Sequence, residues 1–270
     1  MGRKKINRTG EKNINNFGSE MIIINSYIEF NNKHKRDFTY IDIYFPEYDW
    51  TAKHREYKEF KKGSIVCPHE RRTYGVGYLG EGKYKSKENG KFTKCYKVWN
   101  SMLQRCYDSK YHEKYPTYKG CKVCEEWLCF QNFAEWFYDN YYKIENETMC
   151  LDKDILIKHN KIYTPETCIF VPQTINLLFT KSNKSRGNYP LGVDYHKASN
   201  KFRARCSVYD FKIKKLINKY LGLYNTQEKA FEVYKQFKEN HIKEVANHYK
   251  GLTPEKLYNA LYNYEVEIDD

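Results

Sequence analysis

In the segment "KFRARCSVY", residues 201–209, Lys201, Arg203, Arg205 and Ser207 alternate with Phe202, Ala204 and Cys206. Side chains on a strand point to opposite faces at period two, so one face of this segment is oily and the other cationic. Cations and a hydroxyl at alternate strand positions hold phosphate oxygens by charge and hydrogen bonding, a chemistry of capture rather than bond making. A second chemistry is suggested by the cysteines. Cys121 and Cys124 form a CxxC, and Cys106, Cys129, Cys150 and Cys168 lie in the same region, so four thiolates could be chosen around zinc. A zinc ribbon normally offers a second closely spaced pair, which is missing here, and the expectation is buried free thiols with no zinc. His69 and His112 stand apart from any ligand pattern and read as surface residues.

The basic strand needs neighbours to hold its two faces apart. "LGVDYHKA" precedes it and "LINKYLGLY" follows it, with a turn at Ser199-Asn200 and a lysine-rich loop, "DFKIKK", between them. The next segment begins a long amphipathic helix at either Thr226 or Asn225, the latter having Glu228 at capping-box spacing. Ala230, Val233, Tyr234, Phe237, Ile242, Val245 and Ala246 form a stripe that can cover the oily side of the sheet. The cationic side is left to solvent. Upstream, residues 19–68 read as strands throughout, with Ile41, Ile43 and Phe45 alternating against Asp42 and Tyr44, behind a basic polar arm of seventeen residues. The Gly- and Lys-rich stretch that follows is a linker or hairpin, because it lacks the Lys-Ser/Thr ending of a nucleotide loop.

Two helices are expected in the middle region. One carries Val98, Met102, Leu103 and Cys106 on its apolar face, the other Trp127, Phe130, Phe133, Ala134 and Phe137. "CLDKDILIKHNKIYTPETCIFVP" then reads as a hairpin that turns at "KHNK", and "QTINLLF" resumes helical character. Near the C-terminus Thr253 is the expected cap and Pro254 the first residue of a short helix. The expected fold class is α+β and multidomain. It has a basic arm and small antiparallel β-module over residues 1–78, a central α+β domain over 79–184, a three-stranded sheet plus one helix over 185–250, and a short helix over 251–270.

Composition narrows the partners. The 270 residues carry a formal net charge of +13, which suits a polyanion, and nucleic acid is the default partner rather than a membrane or a small-molecule substrate. The longest apolar runs, such as "MIII", are far too short for a bilayer crossing, and no apolar signal core follows the basic N-terminus. A cytoplasmic location is expected, and the nine cysteines then read as reduced.

The stretch "GVDYHKASNKFRAR", followed by "KYLGLYNTQEKAFEVYK", resembles the Apetala/ethylene-response-factor type of DNA-binding domain over about sixty residues. The resemblance implies that the sheet enters the major groove, with outward residues His196, Lys201, Arg203, Arg205, Ser207, Asn218 and Tyr220 contacting bases and phosphates. The family usually has a basic residue after Gly-Val, where this chain has Asp194.

The middle region, through "VCEEWL", "LDKDI" and "YTPETC.FVP", resembles phage HNH or homing-type endonucleases over about eighty residues. That resemblance implies a strand-strand-helix element holding one divalent ion, Mg²⁺ or Mn²⁺, with Asp152, Asp154 and Asn176 as metal ligands. Where the family places its water-activating histidine this chain has Lys153, and His159 lies in the hairpin turn. A lysine at its ordinary pKa is protonated near neutrality and is no general base. Three readings remain open: a working Mg²⁺ site with Lys153 stabilising phosphorane charge, a degenerate nuclease retained for DNA binding, and a solvated hairpin. The resulting expectation is a site-specific DNA endonuclease, the alternative a non-catalytic DNA-binding or regulatory protein.

Overall fold

The computed structural model describes residues 6–179 and 189–268. The chain forms two compact units, Met1–Tyr138 and Asp139–Asp270. Both helices and several small antiparallel sheets are present, so the fold class is α+β. No helix among the described residues is long and apolar enough to cross a membrane. The expected boundary at 184/185 and the first five residues of the basic arm lie outside the described residues.

In the first unit a four-stranded antiparallel sheet runs in chain order, β1 (Lys12–Ile14), β2 (Glu20–Asn31), β3 (Arg36–Phe45) and β4 (Trp50–Glu56). The alternation seen in the sequence sets its core: Met21, Ile23, Ile41, Ile43, Phe45 and Ala52 are buried against Phe60, Ile65 and Cys67. Residues 57–61, expected to continue as strand, instead form helix α1 (Tyr57–Lys61). Phe60 is its one buried residue, reaching the sheet core from a single helical turn, which outweighs a weak strand pattern. The Gly-Lys stretch contains a tight hairpin, Lys87–Glu88 against Lys91–Phe92, turning through Asn89 and Gly90, both with positive φ.

Helices α2 (Lys94–Tyr107), α3 (Ser109–Lys114), α4 (Glu125–Leu128) and α5 (Phe130–Asn140) follow. Thr93 caps α2 by accepting from the Tyr96 N–H. The buried face of α2 is Cys95, Trp99, Met102, Leu103 and Cys106, and the Trp99 indole donates to the Trp127 carbonyl at 2.7 Å. Val98, expected on the core face, is only partly buried, because that face runs through Cys95 and Trp99, one position round the helix.

The second unit opens with β5 (Met149–Asp152) and β6 (Ile169–Pro172), antiparallel with Asp152 opposite Ile169, followed at once by α6 (Gln173–Leu178). A three-stranded antiparallel sheet comes next, β7 (Val193–His196), β8 (Lys201–Asp210) and β9 (Lys215–Tyr224), and then α7 (Gln227–His248) and α8 (Glu255–Tyr262). Thr226, not Asn225, is the cap of α7, accepting from the Lys229 N–H at 3.2 Å. Helix α8 starts one residue later than expected, because Pro254 is extended at ψ 143° and serves as the cap. One core joins the hairpin to the sheet and helices: Ile155, Ile169, Val171, Ile175 and Leu178 pack with Cys206, Val208, Tyr234, Ile242, Val245, Leu257 and Leu261. Each such side chain contributes about 1.5–3 kcal/mol of burial.

Candidate nucleic-acid interface

The strands of the second sheet are in register with Asp194 opposite Arg203, His196 opposite Lys201, Arg205 opposite Tyr220 and Ser207 opposite Asn218. Val193, Ala204, Cys206 and Val208 are buried, so the alternation places the residues between them on the outer face. A bulge between Ala204 and Arg205 makes room for Leu221 in β9 and raises the local twist. Gly192, just before β7, has φ +76°, and a Cβ there would lie 2.0 Å from the Tyr234 ring, so the glycine permits both the turn and the close seating of α7.

Asp194 organises the outer face. Its Oδ2 accepts from Arg203 Nη2 at 2.7 Å, and its Oδ1 accepts from Arg205 Nε at 3.0 Å. Burial alone would raise the Asp194 pKa, but the hydrogen bond from Arg203 and the charge of Arg205 outweigh it and hold the carboxyl below its ordinary value. Two guanidinium groups are thereby held by one carboxylate, leaving a net charge of one on the trio and further N–H donors on each arginine for a ligand. Arg205 stays about half exposed at 49%, and Tyr220 beside it is 62% exposed. The Ser207 hydroxyl donates to Asn218 Oδ1 at 2.6 Å. His196 is engaged by the Ser199 hydroxyl at 2.8 Å, at the turn where Asn200 takes φ +55°. Lys201 is exposed at the start of β8.

The covered face holds groups that the sequence pattern did not single out. The stripe of α7 is turned so that Lys238 and His241 are buried with Ala230, Tyr234, Ile242, Val245 and Ala246, while Val233 and Phe237 are only partly covered. Burial pushes the Lys238 ammonium pKa down. The spacing of Tyr234, Lys238 and Ile242, four residues apart, was the available signal, hidden because lysine counts as polar although its stem is apolar. His241 Nε2 accepts from the Tyr209 N–H at 3.3 Å, and burial depresses its pKa.

In the hairpin of β5 and β6, Asp152 Oδ1 accepts two backbone N–H groups, Asp154 at 2.9 Å and Ile155 at 2.8 Å. Burial, then the charge of Asp154, push the Asp152 carboxyl up to about 6. Lys153 turns inward and is only 7% exposed, its Nζ donating to Asp154 Oδ2 and to the Asn160 carbonyl, each at 2.8 Å. The Asn160 amide returns bonds to the carbonyls of Lys153 and Ile162, both at 2.7 Å. The loop is thus closed around an internal ammonium. His159, at φ +60°, lies 3.7 Å from Glu267 of the C-terminal segment. Asn176 sits half-buried on α6.

Three oxygen-bearing residues were expected to hold Mg²⁺ or Mn²⁺. Their arrangement does not fit that ion well: one Asp152 oxygen is committed to the backbone, and Asp154 is committed to a buried ammonium 2.8 Å away, which repels a divalent cation. Among the described residues no group of three or more His, Cys, Asp or Glu side chains is gathered to hold a metal. None of the nine cysteines forms a disulfide, seven of them are buried, and burial pushes Cys67 up to about 11 and Cys95 up to about 12. Comparison of the chain with protein-family models, with curated proteins and with solved structures finds no match.

Proposed function

We propose that this protein binds double-stranded DNA through the outer face of β7–β9, and that the β5–β6 hairpin serves as framework for the same unit. The observation that carries the reading is the pair of guanidinium groups on Arg203 and Arg205, oriented by Asp194 on an exposed face whose reverse is buried. Oriented guanidinium forks suit phosphate oxygens and guanine edges alike. The formal charge of +13 favours encounter with a polyanion. The resemblance of "GVDYHKASNKFRAR" and "KYLGLYNTQEKAFEVYK" to Apetala-type domains supports the same partner. Titration of fluorescent duplex DNA with wild-type protein and with Arg203→Ala and Arg205→Ala tests it. Each substitution is expected to weaken binding by about 1–3 kcal/mol where the arginine contacts a base. Wild-type affinity in both variants would remove this face from the interface.

A second reading, phosphodiester hydrolysis by the hairpin, is favoured by one observation. The Asp154 carboxylate, although paired with Lys153, is 48% exposed two residues from Asp152, so one acidic group of the hairpin faces solvent. Its test is incubation of genomic DNA with the protein in Mg²⁺ or Mn²⁺, with EDTA as the stop and Asp154→Ala as the control. Cutting that disappears in the variant while binding persists would establish it, and protein that binds tightly without cutting would leave the first reading alone.

A further inference from the structure

Strands β2 and β3 extend past the sheet they belong to. Strand β4 ends at Glu56, opposite Tyr40, and beyond that level only the pairs from Ile28↔Thr39 to Asn31↔Arg36 continue. At ~3.3 Å per residue this two-stranded ribbon runs for about 13 Å beyond the three-stranded level. No residue from 24 to 39 is buried, and Ile28 and Phe30 are 38% and 59% exposed. A bare two-stranded hairpin is at best marginally stable in water, so its persistence here needs local support.

That support is a ladder of rings on one face. His34 lies tilted against Phe38 at 5.4 Å, Phe38 stacks near Tyr40 at 6.4 Å, and Tyr40 lies parallel on His54 at 4.2 Å. Arg36 and Lys58 stand over the Phe38 ring at 5.0 and 5.5 Å. At the base, Asp42 accepts from the His54 N–H at 2.9 Å and from the Asn25 amide at 3.1 Å, pinning bulges in the flanking strands. The tip, "NNKHKR", carries Lys33, Lys35 and Arg36, and among the described residues none of these three forms an ion pair.

We infer that this ribbon is a second DNA-contacting arm, its tip cations gripping phosphates and its exposed Ile28 and Phe30 facing the groove. The inference rests on the DNA-binding reading of the β7–β9 sheet and extends it to the first unit. A two-stranded β-ribbon fits the width of the major groove. Cations without acidic partners at the end of a stiff projection release counterions on meeting phosphates.

The test compares four full-length proteins on a labelled duplex of about 30 base pairs, at about 50 and 200 mM KCl, the range over which phosphate contacts show their salt dependence. They are wild type, the triple variant Lys33→Gln/Lys35→Gln/Arg36→Gln, Phe30→Ala, and the double variant Arg203→Ala/Arg205→Ala. The triple variant should bind on the order of tenfold more weakly at the lower salt, and its log-log salt slope should be shallower by about 2–3. Phe30→Ala should weaken binding with the slope unchanged. Circular dichroism should match wild type in both. If the ribbon variants keep wild-type affinity and slope while the double arginine variant loses binding, the ribbon inference is overturned and the sheet reading stands. Absence of duplex binding by wild type overturns both. A dimer of wild type that the triple variant abolishes, with DNA binding unchanged, would make the ribbon a self-association surface and also overturn the inference.

Discussion

Asp194 joins the two arginines on which the proposed interface rests, and it sets their charge as well as their direction. With both guanidinium groups within 3.0 Å of its carboxylate, the trio presents one net positive charge where two unpaired arginines would present two. Asp194→Asn should therefore raise non-specific duplex affinity by about three- to tenfold at low salt and steepen the salt slope by about 1. Anisotropy titration at several salt concentrations measures both, and a weaker complex would mean that orienting the forks outweighs neutralising them. Asp152 supplies the pH dependence. Its folded pKa of about 6 lies above the ordinary 3.8, so the protonated form is favoured by folding. That contribution is fully present below about 3.8 and is lost as pH rises through about 6. Near pH 7.5 the half-buried charge is a cost, and Asp152→Asn, which keeps an oxygen for the Asp154 and Ile155 N–H groups, should stabilise the fold by about 1–3 kcal/mol. Urea denaturation at pH 7.5 and pH 4 checks it: the advantage should shrink at the lower pH.

At the scale of elements, the sheet and α7 are held to one another at a glycine. Gly192 combines φ +76° with a Cβ position 2.0 Å from the Tyr234 ring. Gly192→Ala should cost about 2–4 kcal/mol, from backbone strain and the displaced ring together. Thermal unfolding would show the loss, and an unchanged midpoint would mean that α7 can shift without penalty. The seating also explains why Lys238 and His241 are buried: with Tyr234 fixed over Gly192, the positions four and seven residues on must face the sheet. Thr226 starts the helix because its hydroxyl reaches the Lys229 N–H, whereas the capping box at Asn225 would have begun it one residue earlier.

At the scale of the molecule, the excess of cations is general, and some of them stand on structured projections outside any ion pair. The β2–β3 ribbon tip is one such place, and the outer face of β8 is a partly neutralised one. The division into compact units was the least legible feature. A break was expected after residue 184, outside the described residues, whereas Ile155, Ile169 and Ile175 share a core with Val208 and Ile242 within one compact unit. Contacts of that sequence separation leave no local pattern, because any apolar strand face can be covered by any apolar partner.

The sequence alone determined the features set by period and local chemistry: the alternating faces of β3 and β8, the Met102, Leu103 and Cys106 part of α2's apolar face, the Phe130, Phe133, Ala134 and Phe137 face of α5 without Trp127, which lies in α4, the strand-strand-helix order of residues 149–178, and the presence of a cap at 225 or 226. Backbone geometry fixes these within a few residues. Tertiary structure decided which charges stay available. Asp194 meets Arg203 and Arg205 through a cross-strand register set by the Lys197–Asn200 turn, and period alone does not specify that register. Lys153, for which the open readings included stabilising phosphorane charge, is folded inward onto Asp154 and Asn160, because a buried ammonium must find oxygen partners and this loop supplies them.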